Sequence, residues 1–288
     1  MLPSDGVTEA RRLDRAGREI DVLITVKAAP QPSRHYGDTV CVAGIALGPL
    51  RWVRLYPVPF RYLDDGQRFR KYDLVRVKVR HPGQDGRPES LKVDAESFRT
   101  LRHLDGWPAR APFVEPMIGG SLCELQRDVS ANPNSTSLAA IRPASVVGLD
   151  VKRHKGWSAE QVKRFEDFAS QGDLFRSYEP RMLDAPRLRA TLHFGCETAP
   201  CKGHKLSVID WELSALQVRF GEASDRDLEV IIRDRFWQMM YNPGRAPALY
   251  VGNQENPARR RQYTLLGTYY PRRGPEPVAS GYEVDPLF

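Results

Sequence analysis

With 288 residues, 41% of them hydrophobic, the chain can build one large domain or two of ordinary size. A mean hydropathy of -0.49, with no apolar run near the roughly eighteen residues that span a bilayer, argues against a helical membrane protein. Lys and Arg number 43 against 36 Asp and Glu, giving +7 and pI ≈ 9.3, a balance that admits a polyanionic partner without requiring one. Four cysteines in so long a chain make no disulfide framework. Residues 1–20 carry charges of both signs and lack the apolar stretch of a secretory leader. A cytoplasmic protein with no membrane partner is expected.

Residues 1–19 read as a charged, flexible lead-in. Strands are expected at 20–26, 39–43, 51–56 and 74–80, joined by Pro- and Gly-bearing turns. Alternation in the third puts Trp52, Arg54 and Tyr56 on one face, opposite Val53 and Leu55. Rings that stack on bases beside a guanidinium that meets phosphates would suit a single-stranded nucleic acid. A sheet packed on both sides, with those rings in a second core, is the alternative. In the fourth strand Arg76, Lys78 and Arg80 share a face opposite three valines, and Arg61 and Lys71 lie in the loop before it. Like cations side by side call for a polyanion or for facing carboxylates; a solvated basic edge is the other reading.

A short strand at 91–93, a helical turn at 96–102, an irregular Pro-rich segment at 106–116, a helix at 121–129 with Cys123 as a core thiol, and a strand at 144–151 complete a small barrel over 20–155. Ser158 caps a helix beginning at Ala159, and 156–186 reads as a helical connector. The second unit, 187–272, runs strand, helix, helix, strand, strand: 187–194, a helix from His204 to Gly221, another from the Ser224 cap, then 248–252 and 263–270. Arg259, Arg260 and Arg261 form a basic run in its last loop, and 273–288 reads as a tail. The fold class is therefore α+β, a small β-barrel followed by an α+β unit.

Between strand and helix of the second unit lies His193-Phe-Gly-Cys196-Glu-Thr-Ala-Pro-Cys201-Lys-Gly-His204. Two thiols and two imidazoles within twelve residues suit a tetrahedral zinc ion, and Gly203 can take the positive φ of a tight knuckle. Four ligands would make a closed, structural site. If His193 points away, the other three leave an open position where Asp210 or Glu212 could move a proton, giving a zinc hydrolase or nuclease. No phosphate-binding glycine loop, nucleophile elbow or nuclease carboxylate cluster is present, so catalysis is the minority reading.

Six strings resemble a group of prokaryotic proteins with a dual OB-containing domain: Thr39–Gly44, Trp52–Arg61, Phe69–Asp73, Arg87–Ser90, Cys201–His204 with Asp210–Glu212, and Tyr250–Asn253. The resemblance implies OB-like barrels and DNA or RNA binding in a genome-defence or mobile-element setting, with protein partners of a defence complex as further candidates. Two helices after His204 exceed what a bare second barrel contains. The expected function is nucleic-acid binding through Trp52, Arg54, Tyr56, Arg61, Lys71, Arg76, Lys78, Arg80 and the 259–261 run. A protein–protein adaptor using the same aromatics is the rival.

Overall fold

The computed structural model describes residues 17–29, 40–83, 85–170 and 184–274. The expected lead-in up to residue 16, the stretch 171–183 of the connector and the tail from 275 lie outside the described residues.

Five strands close an OB-like barrel in the first half. β1 (Arg18–Lys27), β2 (Val40–Ala46), β3 (Arg51–Val58), β4 (Asp73–Arg80) and β5 (Ser90–Val93) bond in the order β1-β2-β3-β5-β4, and β4 returns to β1. Only the β3–β5 pairing is parallel. Inward alternation of Val22, Ile24, Val42, Val53, Leu55, Val75 and Val77 fills the interior, as β-branched residues on a pleated strand favour. Gly44 allows the close crossing of β1 and β2, for a Cβ there would sit 2.3 Å from the Leu23 carbonyl oxygen.

β6 (Arg99–His103) adds to β4 outside the barrel, where the sequence suggested a helical turn; only 95–97 turn. The Pro-rich segment expected to be irregular is α1 (Gly106–Val114). Pro108 falls in its first turn, where no N–H is needed, so the helix tolerates it.

The division between halves differs from the expected one at 155. β7 (Leu138–Ile141) pairs with β11 (Ala248–Asn253), and β8 (Ser145–Arg153) with β9 (Leu188–Gly195). β10 (His204–Ser207) pairs with β9, and β12 (Tyr263–Tyr269) with β11. A bridge from Val208 to Leu265 joins these two three-stranded sheets. Together they curl round one core that includes Ile141, Leu149, Leu192, Phe194 and Val251, closed over by α2 (Leu122–Ala131), α4 (Trp211–Arg219) and α5 (Asp225–Arg233). α3 (Ala159–Ser170) starts as expected, with Ser158 Oγ accepting the Gln161 N–H at 3.2 Å. The helix expected from His204 begins only at Trp211, because Asp210 caps it and 204–207 are drawn into the sheet.

The halves meet across the outward face of β1–β3. Leu23, Ala43 and Ile45 pack against Leu138, Ala140, Tyr250 and Leu266. Trp52 lies edge-to-face on Tyr250, 5.9 Å between ring centroids. Arg54 is only 3% exposed. Its Nη2 donates to the carbonyl and hydroxyl oxygens of Ser137, both at 3.1 Å, and Ser137 donates its N–H and O–H to Glu89 at 2.9 and 2.6 Å. The face expected to stack bases through Trp52 and Arg54 is thus an internal seam, the two-sided packing that alternation alone could not distinguish. Lys71 is drawn in as well, with Nζ 2.7 Å from Asp210 and 3.3 Å from Glu212. Burial works to lower its pKa, but the two carboxylates outweigh that and raise it.

Candidate metal centre and binding cleft

β9 alternates, so Leu192 and Phe194 face the core and His193 turns the other way. His193 Nε2 lies 3.0 Å from Asp150 Oδ2 on β8. It stands outside the cluster that the sequence assigned it to. Cys196, Cys201 and His204 do come together, and the fourth group is Cys123, second residue of α2. Their ligand atoms all lie within 4.8 Å of one another. Cys123 Sγ is 3.2 Å and Cys201 Sγ 3.4 Å from His204 Nε2, close to the roughly 3.5 Å that separates sulfur and nitrogen ligands of a tetrahedral ion bonded at about 2.0–2.3 Å. Cys123 was unreadable as a ligand because it lies seventy residues before the motif; the one available hint was its place beside the Ser121 cap, at a helix start.

The turn is shaped for ligation. Gly203 has φ 82°, the left-handed conformation expected of it. The backbone N–H groups of Cys196 and Gly203 point at Cys201 Sγ, at 3.3 and 3.4 Å, and hold that thiol's pKa below its ordinary value. Burial, then the neighbouring thiols, push Cys123 up to about 11; a cation at the centre would reverse that. Three thiols and one imidazole supply four ligand atoms, the number that a closed tetrahedral site takes. Asp210, the suggested proton-transfer group, instead accepts from Lys71 and from the Glu212 N–H at 3.0 Å.

The remaining basic candidates divide sharply. Arg76 donates from Nε and Nη2 to Asp21 at 2.6 and 2.8 Å, and Arg99 to Glu19 at 2.9 Å. A carboxylate of β1 therefore compensates one of the three cations of the basic strand, and Lys78 and Arg80 stay exposed. Tyr56 is half-buried. In the 253–262 loop Arg259 and Arg261 are exposed, whereas Arg260 is buried.

Arg61 leads to a different surface. It stands at the edge of a cleft of about 930 Å³, lined also by His154, Trp157, Arg189, Trp211 and Arg219 over an apolar floor that includes Leu188, Val208 and Leu213. Strand β9 supplies Arg189 and the α4 helix supplies Trp211 and Arg219. His154 stacks edge-on with Trp157, 5.4 Å between centroids. Burial, aided by the Arg189 charge, lowers the pKa of His154, so the cleft's positive character comes from its arginines. Sequence reading missed it because its walls come from residues 61, 154–157, 187–189 and 211–219, none of which forms a local motif.

Residues 18–116 match a family model described as a domain of unknown function (DUF8758), and residues 118–285 match another, also described as a domain of unknown function (DUF8757). The break at 116–118 falls where the structure passes from the barrel and α1 to the curled sheet. No curated protein matches the chain. As the second match spans more than half of the chain, the protein belongs to the DUF8757 family.

Proposed function

We propose that this protein is a nucleic-acid-binding module that holds a single strand in the cleft between the barrel and the second half, with zinc as a structural fastener. The observation that carries the reading is the set of rings and arginines around one apolar trough: Trp157 and Trp211 line it, the latter also packed against Phe60 and Lys27, and Arg61, Arg189 and Arg219 bring charge for phosphates. The excess of +7 adds long-range attraction. A donor set of three thiols and an imidazole favours zinc over harder ions, and in that site the metal would tie α2 to the 196–204 turn. The four-ligand count favours a binder over a zinc hydrolase. A place in a genome-defence or mobile-element system rests on the dual OB-containing resemblance.

Fluorescence polarisation with labelled single-stranded DNA, single-stranded RNA and duplex tests this. Single strands should bind at low salt and weaken steeply as salt rises. Arg189→Glu and Trp157→Ala should each weaken binding about tenfold or more. No binding at low salt, salt-independent binding, or unchanged affinity in both variants would remove the cleft as the contact surface. Capture of a protein partner that survives nuclease treatment would support the adaptor reading instead.

A further inference from the structure

The β8–β9–β10 sheet walls one side of the cleft through His154, at the end of β8, with Arg189 and Ser207, and it continues past the cleft with its outer face open. Strand parity decides which residues stand there. Leu149, Val151, Leu192 and Leu206 are buried, so their chain neighbours point out. The cross-strand register sets those neighbours in rows: Lys152 beside Arg189, then Asp150 beside Thr191, then His193 beside Lys205. The first row and the last are four residues apart along β9, about 13 Å at the rise of a strand. A Cβ built on Gly148, the β8 residue opposite His193, would meet nothing within 4 Å, so there is room above the face.

Charge on these rows is unbalanced. Lys152 and Arg189 are direct cross-strand partners, a like-charge pair that destabilises a sheet unless an anion lies against it. Lys205 is a third exposed cation, and among the described residues neither it nor Arg189 makes an ion pair. Asp150 is the one carboxylate of the three rows, and it is already engaged: its Oδ2 lies 3.0 Å from His193 Nε2 and 4.0 Å from Lys152 Nζ. The outward residues of these rows include no Trp, Tyr or Phe. The face therefore offers ion pairing to a phosphate backbone and no stacking platform for bases.

We propose that the single strand held in the cleft runs on across this sheet face to the 196–204 turn, its phosphates lying first between Lys152 and Arg189 and then against Lys205. The occupant is that of the cleft reading, so oligonucleotides of two lengths are needed to separate the two surfaces. Labelled oligothymidylates of about four and about twelve nucleotides, within the range of small-barrel site sizes, are titrated onto the full chain by fluorescence polarisation. The longer strand should bind at least about tenfold more tightly at low salt and with a steeper salt dependence. The double variant K152E/K205E should lose most of that gain, with a salt slope lower by about 1.4, and should leave the short strand within about threefold. Asp150→Asn, which removes the opposing charge, should tighten the long strand about two- to threefold. The same charge change on the barrel, K78E/R80E, should alter neither length. An undiminished gain in K152E/K205E, an equal loss in K78E/R80E, or weaker long-strand binding in Asp150→Asn overturns the proposal. If Trp157→Ala weakens both lengths while K152E/K205E behaves as wild type, the cleft stands and the face falls. If K152E/K205E abolishes the gain while Trp157→Ala changes neither length, the face stands and the cleft falls. No binding of either length removes both.

Discussion

Two faces of the barrel have nearly the same sequence character and opposite fates. Outward positions of β3 carry Trp52, Arg54 and Tyr56; those of β4 carry Arg76, Lys78 and Arg80. The β3 face is covered at Trp52 and Arg54 by Tyr250, Leu138 and Ser137 of the second half, with Tyr56 left half-buried. The β4 face stays solvated, with Arg76 held by Asp21. Alternation tells which side chains share a face. What covers that face is decided by strands contributed from 80 to 200 residues further along the chain, such as β7 and β11. The end of β9 repeats the contrast on a smaller scale, with Phe194 and, just beyond the strand, Cys196 turned into the core and His193 out toward Asp150.

The sharpest way to break the β9 contrast is to exchange the two candidate fourth ligands. Cys123→Ala should lose most bound metal and destabilise the second half by more than about 5 kcal/mol, since structural-site binding energy is folding energy. His193→Ala should keep one metal per chain and lose only about 1 kcal/mol or less. Metal analysis with denaturant unfolding reads both, and equal metal loss in the two variants would contradict the assignment.

On the barrel, Arg54→Ala should cost roughly 3–5 kcal/mol in urea unfolding, because Glu89, though still bonded to Ser137, is left buried without the cation linked to it. Arg76→Ala, with its side chain 40% exposed, should cost under about 1 kcal/mol and less still at high salt. Similar costs for the two would erase the difference between the faces.

A smaller effect follows from Asp85. Its burial would raise the pKa, but bonds from Arg87 prevail and bring it down to about 2, below the unfolded 3.8. A depressed carboxylate stabilises the fold above its unfolded pKa and loses that contribution as pH falls toward the folded one. The difference in stability between wild type and Asp85→Asn should be on the order of 2 kcal/mol at pH 7 and about half that near pH 3. A difference that grows on acidification would contradict the sign.

Much of the barrel was legible. The β-branched runs at 20–26, 39–43, 51–56 and 74–80 state their period directly, and the caps at Ser158 and Ser224 mark two helices. β7 escaped notice because Leu138-Ala-Ala-Ile141 is uniformly buried and has no alternation to read. The metal centre was three-quarters legible: close spacing revealed Cys196, Cys201 and His204, while His193 was excluded by strand parity and Cys123 entered through tertiary packing. The cleft was illegible, since no two of its walls are neighbours in the chain. The resemblance strings fare differently: Lys71, Arg87, Asp210 and Asn253 all lie in the seam between the halves, where buried charge must be matched.

Oxidative footprinting of the tryptophans, with and without a single-stranded oligonucleotide, tests the central contrast most directly. Trp157 should be modified in the free protein and protected by the strand, while Trp52 stays slow to react in both. Rapid modification of Trp52 that the strand suppresses, with Trp157 unchanged, would return the binding surface to the barrel face and contradict the account.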